Sequence, residues 1–316
     1  MRLVSFTRHR EGAPSVGALD ADQIVDLGEA ARLLPDETGG PSSASALASM
    51  RGLLSAGPDL LEVARHLVER SGHGGIARYP AASCRLLPPV PDPTKIICIG
   101  LNYGRVAKAV AYAPGEAPPI FHKAPSALVG HGDAIVLPAL DIGPVAAEVE
   151  LGVVIGARAR HVQASRAFDV IAGYTVVIDV TANEMMRRDT YRFRGPDGVT
   201  PHAMFFRAKD YDTFAPTGPV LVTCDEVPDA RVGCLALGAW ADGEQFVDAS
   251  TADMLVDVPA IVEAVSAVVT LEAGDLIATG HPGHLKPRAL LPGETIEASI
   301  ECVGTLRVSV DREEPT

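Results

Sequence analysis

Glu148 and Glu150 stand two residues apart in one apolar run, and Asp179 closes the next apolar run. From Ala147 to Ile155 the chain reads as a strand, where residues two apart share a face, so both glutamates point the same way. Ile171 to Ile178 reads as a second strand, and Asp179 follows it just ahead of a helix-like stretch. Three carboxylates from two neighbouring strands form a hard-oxygen set that suits Mg²⁺ or Mn²⁺ rather than zinc. Gly152 and Val154 continue the same face, and the glycine leaves bare backbone where a ligand could come close. Alternating acid and apolar residues also describe a half-solvated strand, and on spacing alone that is the commoner reading.

The rest of the chain narrows the classes. Its 316 residues can bury a substantial core and divide into two unequal domains. Aromatic residues make up 5% and the formal charge is −13, so the surface offers neither stacking platforms nor phosphate-neutralising patches, and no nucleic-acid partner is expected. An anionic substrate would need local metal and basic groups on such an acidic protein. The five cysteines (Cys84, Cys98, Cys224, Cys234, Cys302) are dispersed, which suits reduced, small, buried side chains in a cytoplasmic protein. The first ten residues carry no apolar signal core, and no run reaches the length of a membrane span, so no membrane partner is expected.

The elements that must position the carboxylates follow from periodicity. Met1 to Leu27 alternates as a short strand meander, and Leu47 to Glu69 carries a helical apolar stripe. Leu87-Pro-Pro-Val-Pro-Asp-Pro93 breaks regular structure and marks the boundary between residues 1–90 and 91–316. Beyond it, strands are predicted at Lys95–Gly100, Ala134–Leu137, Ala147–Ile155, Ala172–Ile178, Val220–Thr223, Ala236–Ala241 and Leu276–Ala278. Helices are predicted at Val180–Tyr191 and Ala252–Val269, the main part of the latter starting near Val258 with Pro259 in its first turn, and Arg192–Met204 reads as a loop. Strands without regular βα alternation exclude a doubly wound parallel sheet and predict a β-rich α+β fold.

Six blocks in register, Lys95–Tyr103, Phe121–Gly130, Glu148–Leu151, Ala172–Ala182, Arg207–Pro219 and Leu271–Gly280, resemble the catalytic domain of the fumarylacetoacetate hydrolase family. The resemblance runs from about Lys95 to Val310, and residues 1–90 look like the family's small, β-rich N-terminal domain. It implies a mixed β-roll catalytic domain that commonly forms a homodimer. It also implies a divalent-metal enzyme acting on a small 2-oxo or 1,3-dicarbonyl acid through a metal-stabilised enolate, by C–C hydrolysis, decarboxylation or keto–enol isomerisation. Glu148, Glu150 and Asp179 fall on the family's metal ligands and Lys209 on its site lysine. Thr279-Gly280 falls on a Thr-Gly turn able to hold a carboxylate. Lys123, Tyr103 and Arg105 are further candidates for the substrate pocket.

One departure stands out. Family hydrolases and decarboxylases carry a water-activating His and Glu after the Asn-Tyr pair, where this chain has Val106 and Ala109, neither able to accept a proton. Asn183 and Glu184 likewise stand where the family often has Arg and Asp. His122, His131, His202 and His281 lie in or beside the matched blocks and are alternative bases, whereas Arg105 and Lys108 are cationic and serve only as electrophiles. The missing pair shifts the expectation toward an enolate-forming lyase or isomerase, including non-hydrolytic secondary metabolism. A silent metal- and ligand-binding protein is the alternative. No repeat, coiled coil or charge block supports a purely structural module.

Overall fold

The computed structural model describes residues 1–9, 12–37, 41–72, 75–110, 118–195, 198–202, 204–228 and 232–314. Its centre is an antiparallel pair, Val145–Ile155 and Ile171–Ala182, labelled β10 and β11 by their places in the chain. The two strands pair along their whole length, with Glu148 opposite Asp179 and Glu150 opposite Val177. Their sequences are apolar nearly throughout because both faces are covered, as expected of strands at the middle of a sheet. Val149, Leu151, Val153 and Ile155 enter one apolar cluster, whereas Val154, Val177 and Ala172 enter a second on the other side of the sheet.

Around this pair the described strands form a twelve-stranded sheet. One flank of β11 is β14 (Ala215–Thr223), which in turn pairs with β1 (Arg2–Thr7), Leu3 lying opposite Leu221. From there the meander β2 (Ser15–Asp20), β3 (Gln23–Asp26) and β4 (Arg78–Pro80) extends the sheet, so residues from both sides of the 87–93 stretch share one hydrogen-bonded surface. The flank of β10 is β17 (Leu276–Ala278), then β6 (Ile96–Ile99) and β7 (Ile120–Lys123). A separate five-stranded sheet holds β9 (Ala134–Leu137), β15 (Ala236–Ala241), β16 (Glu244–Ser250), β18 (Thr295–Ile300) and β19 (Gly304–Arg312). The architecture is the β-rich α+β fold expected from the sequence.

Several local expectations change. The helical stripe from Leu47 to Glu69 is two helices, Met50–Ser55 and Pro58–Gly72, because Gly57 takes a left-handed φ of +82° and Pro58 restarts the chain. Strand β11 runs on to Ala182, so only Asn183–Arg188 remains helical. Arg192–Met204 contains a hairpin, Tyr191–Gly195 with Gly198–His202, rather than a plain loop. The helix expected from Val258 does start there, capped by Asp257, whose carboxylate accepts the Ala260 N–H at 2.9 Å. Cys98 is buried, Cys84 and Cys224 are half-buried, and Cys234 and Cys302 are exposed rather than buried; none of the five forms a disulfide. No helix among the described residues is long and apolar enough to cross a membrane.

Asp275 fixes where β17 lies. Its fully buried carboxylate accepts from Thr94 Oγ1 at 2.5 Å, the Lys95 N–H at 3.2 Å and the Glu272 N–H at 2.7 Å, and it pairs with the Lys95 ammonium. Those partners hold the parallel β6–β17 pair in register and aim the following turn, Thr279 onward, at β10. Asp275→Ala should therefore cost about 3–5 kcal/mol, since it strands a partly buried cation and several donors. The check is a urea midpoint at unchanged m-value; a loss below about 1 kcal/mol would contradict this account.

Candidate metal and oxo-acid site

Period-two geometry gives the site its floor. Glu148 and Glu150 share one face of β10, Asp179 and Thr181 share the matching face of β11, and ligand atoms of the three carboxylates lie within 4.8 Å of one another. Glu150 and Asp179 are buried, and Glu148 retains partial exposure toward the opening. Gly152, expected to leave room for a ligand, does not: an added Cβ would lie 2.7 Å from Val177 Cγ2 and 2.9 Å from Thr175 Cγ2, so neighbouring side chains fill that space.

Two buried lysines supply the counter-charge. Lys209 closes the short helix Phe206–Lys209 and reaches Glu148 at 2.9 Å, Asp179 at 2.5 Å and Thr181 Oγ1 at 2.6 Å, with its ammonium 5.1 Å from the Phe121 ring centroid. Lys123, at the end of β7, donates to Asp179 at 2.8 Å, to the Val180 carbonyl at 3.2 Å and to the Lys209 carbonyl. An ammonium has three protons, so those of Lys123 are all engaged within the protein and the side chain sits behind Asp179. Burial alone would raise the Asp179 pKa, but the two ammoniums outweigh it and hold the carboxyl below its ordinary value. Burial would lower Lys209, and Asp179 and Glu148 more than reverse that.

Glu150 is the carboxylate left over. Its one hydrogen bond among the described residues comes from the Gly280 N–H at 2.7 Å. Burial, followed by the nearby Asp179 charge, pushes its pKa well above the usual carboxylate range. Among the described residues, three carboxylates meet two ammoniums, and the one negative charge left over in this largely buried site is what a divalent cation relieves. The oxygen donors present therefore fit Mg²⁺ or Mn²⁺.

The roof comes from two segments. Gly280 adopts φ +101°, and an added Cβ would lie 2.7 Å from Asn102 Cβ, so only glycine lets its N–H face Glu150 there. Thr279 is fully buried and its hydroxyl donates to the Leu151 carbonyl at 2.9 Å. Asn102 ties both segments together, donating to the Thr279 and Val256 carbonyls at 2.8 and 2.9 Å and accepting the Val256 N–H at 2.8 Å. Tyr103 is buried beside Glu150, and its hydroxyl has no hydrogen-bond partner among the described residues; burial and then the Glu150 charge raise its pKa. Arg105 is exposed on the Gly104–Ala109 helix, and this helix packs on the roof turn, where a Cβ on Gly283 would meet Val106 Cγ2 at 3.1 Å and Arg105 Cδ at 3.3 Å.

The histidines separate clearly. His281 is buried, its Nδ1 lies 3.3 Å from the Val149 carbonyl between the two glutamates, and its Nε2 has no hydrogen-bond partner among the described residues. Burial lowers its pKa to about 4, against the raising effect of Glu148. His122 is exposed on β7, and His131 uses Nδ1 to accept the Arg307 N–H at 3.2 Å on the other sheet. The side chain of His202 lies outside the described residues. Glu184 turns away into ion pairs with Arg187 and Arg188. Sequence reasoning passed over Thr181, whose position two after Asp179 was the available signal, and Asn102, whose clamp depends on tertiary contacts.

The family signature described as fumarylacetoacetate (FAA) hydrolase C-terminal matches residues 95–311. The chain belongs to the fumarylacetoacetate hydrolase family. Oxaloacetate tautomerase YisK of Bacillus subtilis is 32% identical over 300 residues, covering 91% of this chain and 93% of that protein. The mitochondrial oxaloacetate tautomerase Fahd2a of Rattus norvegicus is 30% identical over 313 residues, covering 97% of this chain and 90% of that protein. Among solved structures, maleylpyruvate hydrolase from Sphingobium sp. SYK-6, in complex with manganese(II) and pyruvate, superposes with a TM-score of 0.74 at 31% identity. That match covers 99% of this chain and 100% of the other. The named family relatives are enzymes, and so is this protein.

Glu150 and His281 respond oppositely to acid. A buried carboxyl with a raised pKa destabilises the metal-free fold at neutral pH, and that cost disappears as pH falls through its folded pKa. A histidine lowered from about 6.5 to about 4 costs stability as pH falls through that window, because the unfolded chain binds the proton first. Glu150→Gln should therefore raise metal-free stability at neutral pH by roughly 1–3 kcal/mol. It should also steepen the loss between pH 6.5 and 4 toward about 1.4 kcal/mol per pH unit. Chemical denaturation across pH checks both; unchanged metal-free stability in the variant would show that Glu150 is already compensated.

Proposed function

We infer that this protein is a Mg²⁺- or Mn²⁺-dependent enzyme that interconverts keto and enol forms of a small 2-oxo diacid of the oxaloacetate type. The observation that carries the reading is the unmatched buried carboxylate of Glu150 within a triad completed by Glu148 and Asp179. When bound, the divalent ion supplies a Lewis acid for two adjacent oxygens of the 2-oxo acid. Glu148, Glu150 and Asp179 hold it, and Lys123 keeps Asp179 ionised and aimed. Lys209 stands beside the same oxygens and stabilises negative charge as it develops on the carbonyl oxygen. Thr279 and Gly280 shape the wall that receives the substrate carboxylate, Tyr103 borders it with a hydroxyl unpartnered among the described residues, and Arg105 on the Gly104–Ala109 helix meets the second acidic group.

The tautomerase names of two relatives that span nearly the whole chain support isomerisation, as does the absence of a proton acceptor at Val106 and Ala109. Hydrolysis of an acylpyruvate is the second reading, favoured by the likeness to the maleylpyruvate hydrolase structure. A homodimer belongs to the proposal, supported by exposed Leu140 and Phe206 lining one cleft, and a cytoplasmic location is supported by five cysteines that form no disulfide.

Oxaloacetate equilibration followed by ultraviolet absorbance, with Mn²⁺, Mg²⁺ or EDTA, tests the assignment. Acceleration over the metal-only control should vanish with EDTA and fall roughly 10²–10³-fold in Glu148→Ala. Acceleration that survives EDTA, or none in wild type, would defeat it. Independently, Mn²⁺ at a hundredfold excess over its Kd should stabilise the wild-type fold by about 2.7 kcal/mol and leave Glu150→Gln much less affected.

A further inference from the structure

Strand β17 covers β10 only at Gly152–Val154, which leaves the carbonyls of Val145, Ala147, Val149 and Leu151 on an unpaired edge. The segment from Thr279 to Leu290 satisfies them in sequence. Leu151 is met by the Thr279 N–H at 3.1 Å, Val149 by His281 Nδ1 at 3.3 Å, Ala147 by His284 Nε2 at 2.8 Å and Val145 by the Leu290 N–H at 2.8 Å. Two imidazoles thus take the places of two ladder N–H groups. A carbonyl only accepts, so His281 carries its proton on Nδ1, and a neutral ring then has its lone pair on Nε2.

That lone pair is buried and has no donor among the described residues. The charged and titratable groups facing the ring are Glu148, His284 and Lys209, members or neighbours of the triad site. The His284 ring packs against it edge-on at 4.8 Å and uses its own Nε2 on Ala147, so it supports His281 rather than competing for a proton. Over this turn lies the Gly104–Ala109 helix, with Val106 against Gly283. The segment that lacks a proton acceptor therefore covers a turn that contains one.

We propose that His281, through Nε2, is the general base that removes the C3 proton of the 2-oxo acid, from the roof turn rather than from the covering helix. This rests on the enolising function inferred above. In the step, the C3–H bond breaks and the Nε2–H bond forms. The released electron pair becomes the C2=C3 bond, and the carbonyl π pair moves onto the C2 oxygen. The oxygen then takes a proton from solvent and the imidazolium returns its proton to solvent, so no oxidant, reductant or further reactant is needed.

His281→Asn separates the two jobs of the ring, because the asparagine amide can still donate to Val149 but has no basic nitrogen. C3 exchange of oxaloacetate in D₂O should fall about 10²–10⁴-fold in kcat. KM should stay within roughly threefold, and Mn²⁺ binding by calorimetry and the melting temperature should be retained. In His281→Gly, added imidazole should restore exchange in proportion to its free base, a response that a merely structural ring would not give. In wild type, ¹⁵N-histidine NMR should find His281 protonated on Nδ1, and an Nε2-protonated ring overturns the proposal even if neither variant folds. Active wild type with equally active His281→Asn sinks the base alone, whereas wild type without metal-dependent exchange removes the enolising function and the base together.

Discussion

Charge that cannot reach water governs this molecule. The middle of the sheet places three carboxylates and two ammoniums on the buried faces of β10 and β11 and their neighbours, where each unpaired charge costs several kcal/mol. Lys123 and Lys209 meet on Asp179 from two sides and each spends its three protons within the protein, so among the described residues Glu150 is left with the Gly280 amide. Under the proposed function, stability and activity conflict at this one residue. An apolar side chain there would serve the metal-free fold better, whereas a carboxylate offers the hard oxygen that a dication would take.

The roof obeys the same logic in neutral groups. Every carbonyl along the open edge of β10 must find a donor, and the turn after β17 provides them with a backbone amide, two imidazoles and another backbone amide. Asn102 then joins that turn to the covering helix, so the walls of the site are linked by hydrogen bonds rather than only by packing. A site built this way is preorganised because its polar groups have few alternative partners.

Part of the site's floor was readable from the sequence because strand periodicity is local: two glutamates two apart share a face, whereas the register that sets Asp179 opposite Glu148 is a tertiary fact. The β-rich class was readable for the same reason. Strands β18 and β19 carried an equally clear signal, with Ile296, Ala298 and Ile300 and then Leu306, Val308 and Val310 alternating inward, but went unread beside the longer apolar runs. What spacing could not reveal is which lysine meets which acid and which histidine of several faces them. Those answers depend on β7, the Phe206–Lys209 helix and the turn after β17 converging from distant parts of the chain. The break at Gly57 was visible as a residue pair but was overridden by the apolar stripe running through it.

The sheet joins the start of the chain to a strand near residue 220: Leu3 pairs with Leu221. During synthesis, then, Arg2 and Leu3 of β1 keep one hydrogen-bonding edge open until β14 has left the ribosome, while β2, β3 and residues 85–86 can already pair beside it. An exposed strand edge of that kind invites pairing with another chain. The same contact that unites the finished molecule leaves its nascent form with an edge exposed to other chains.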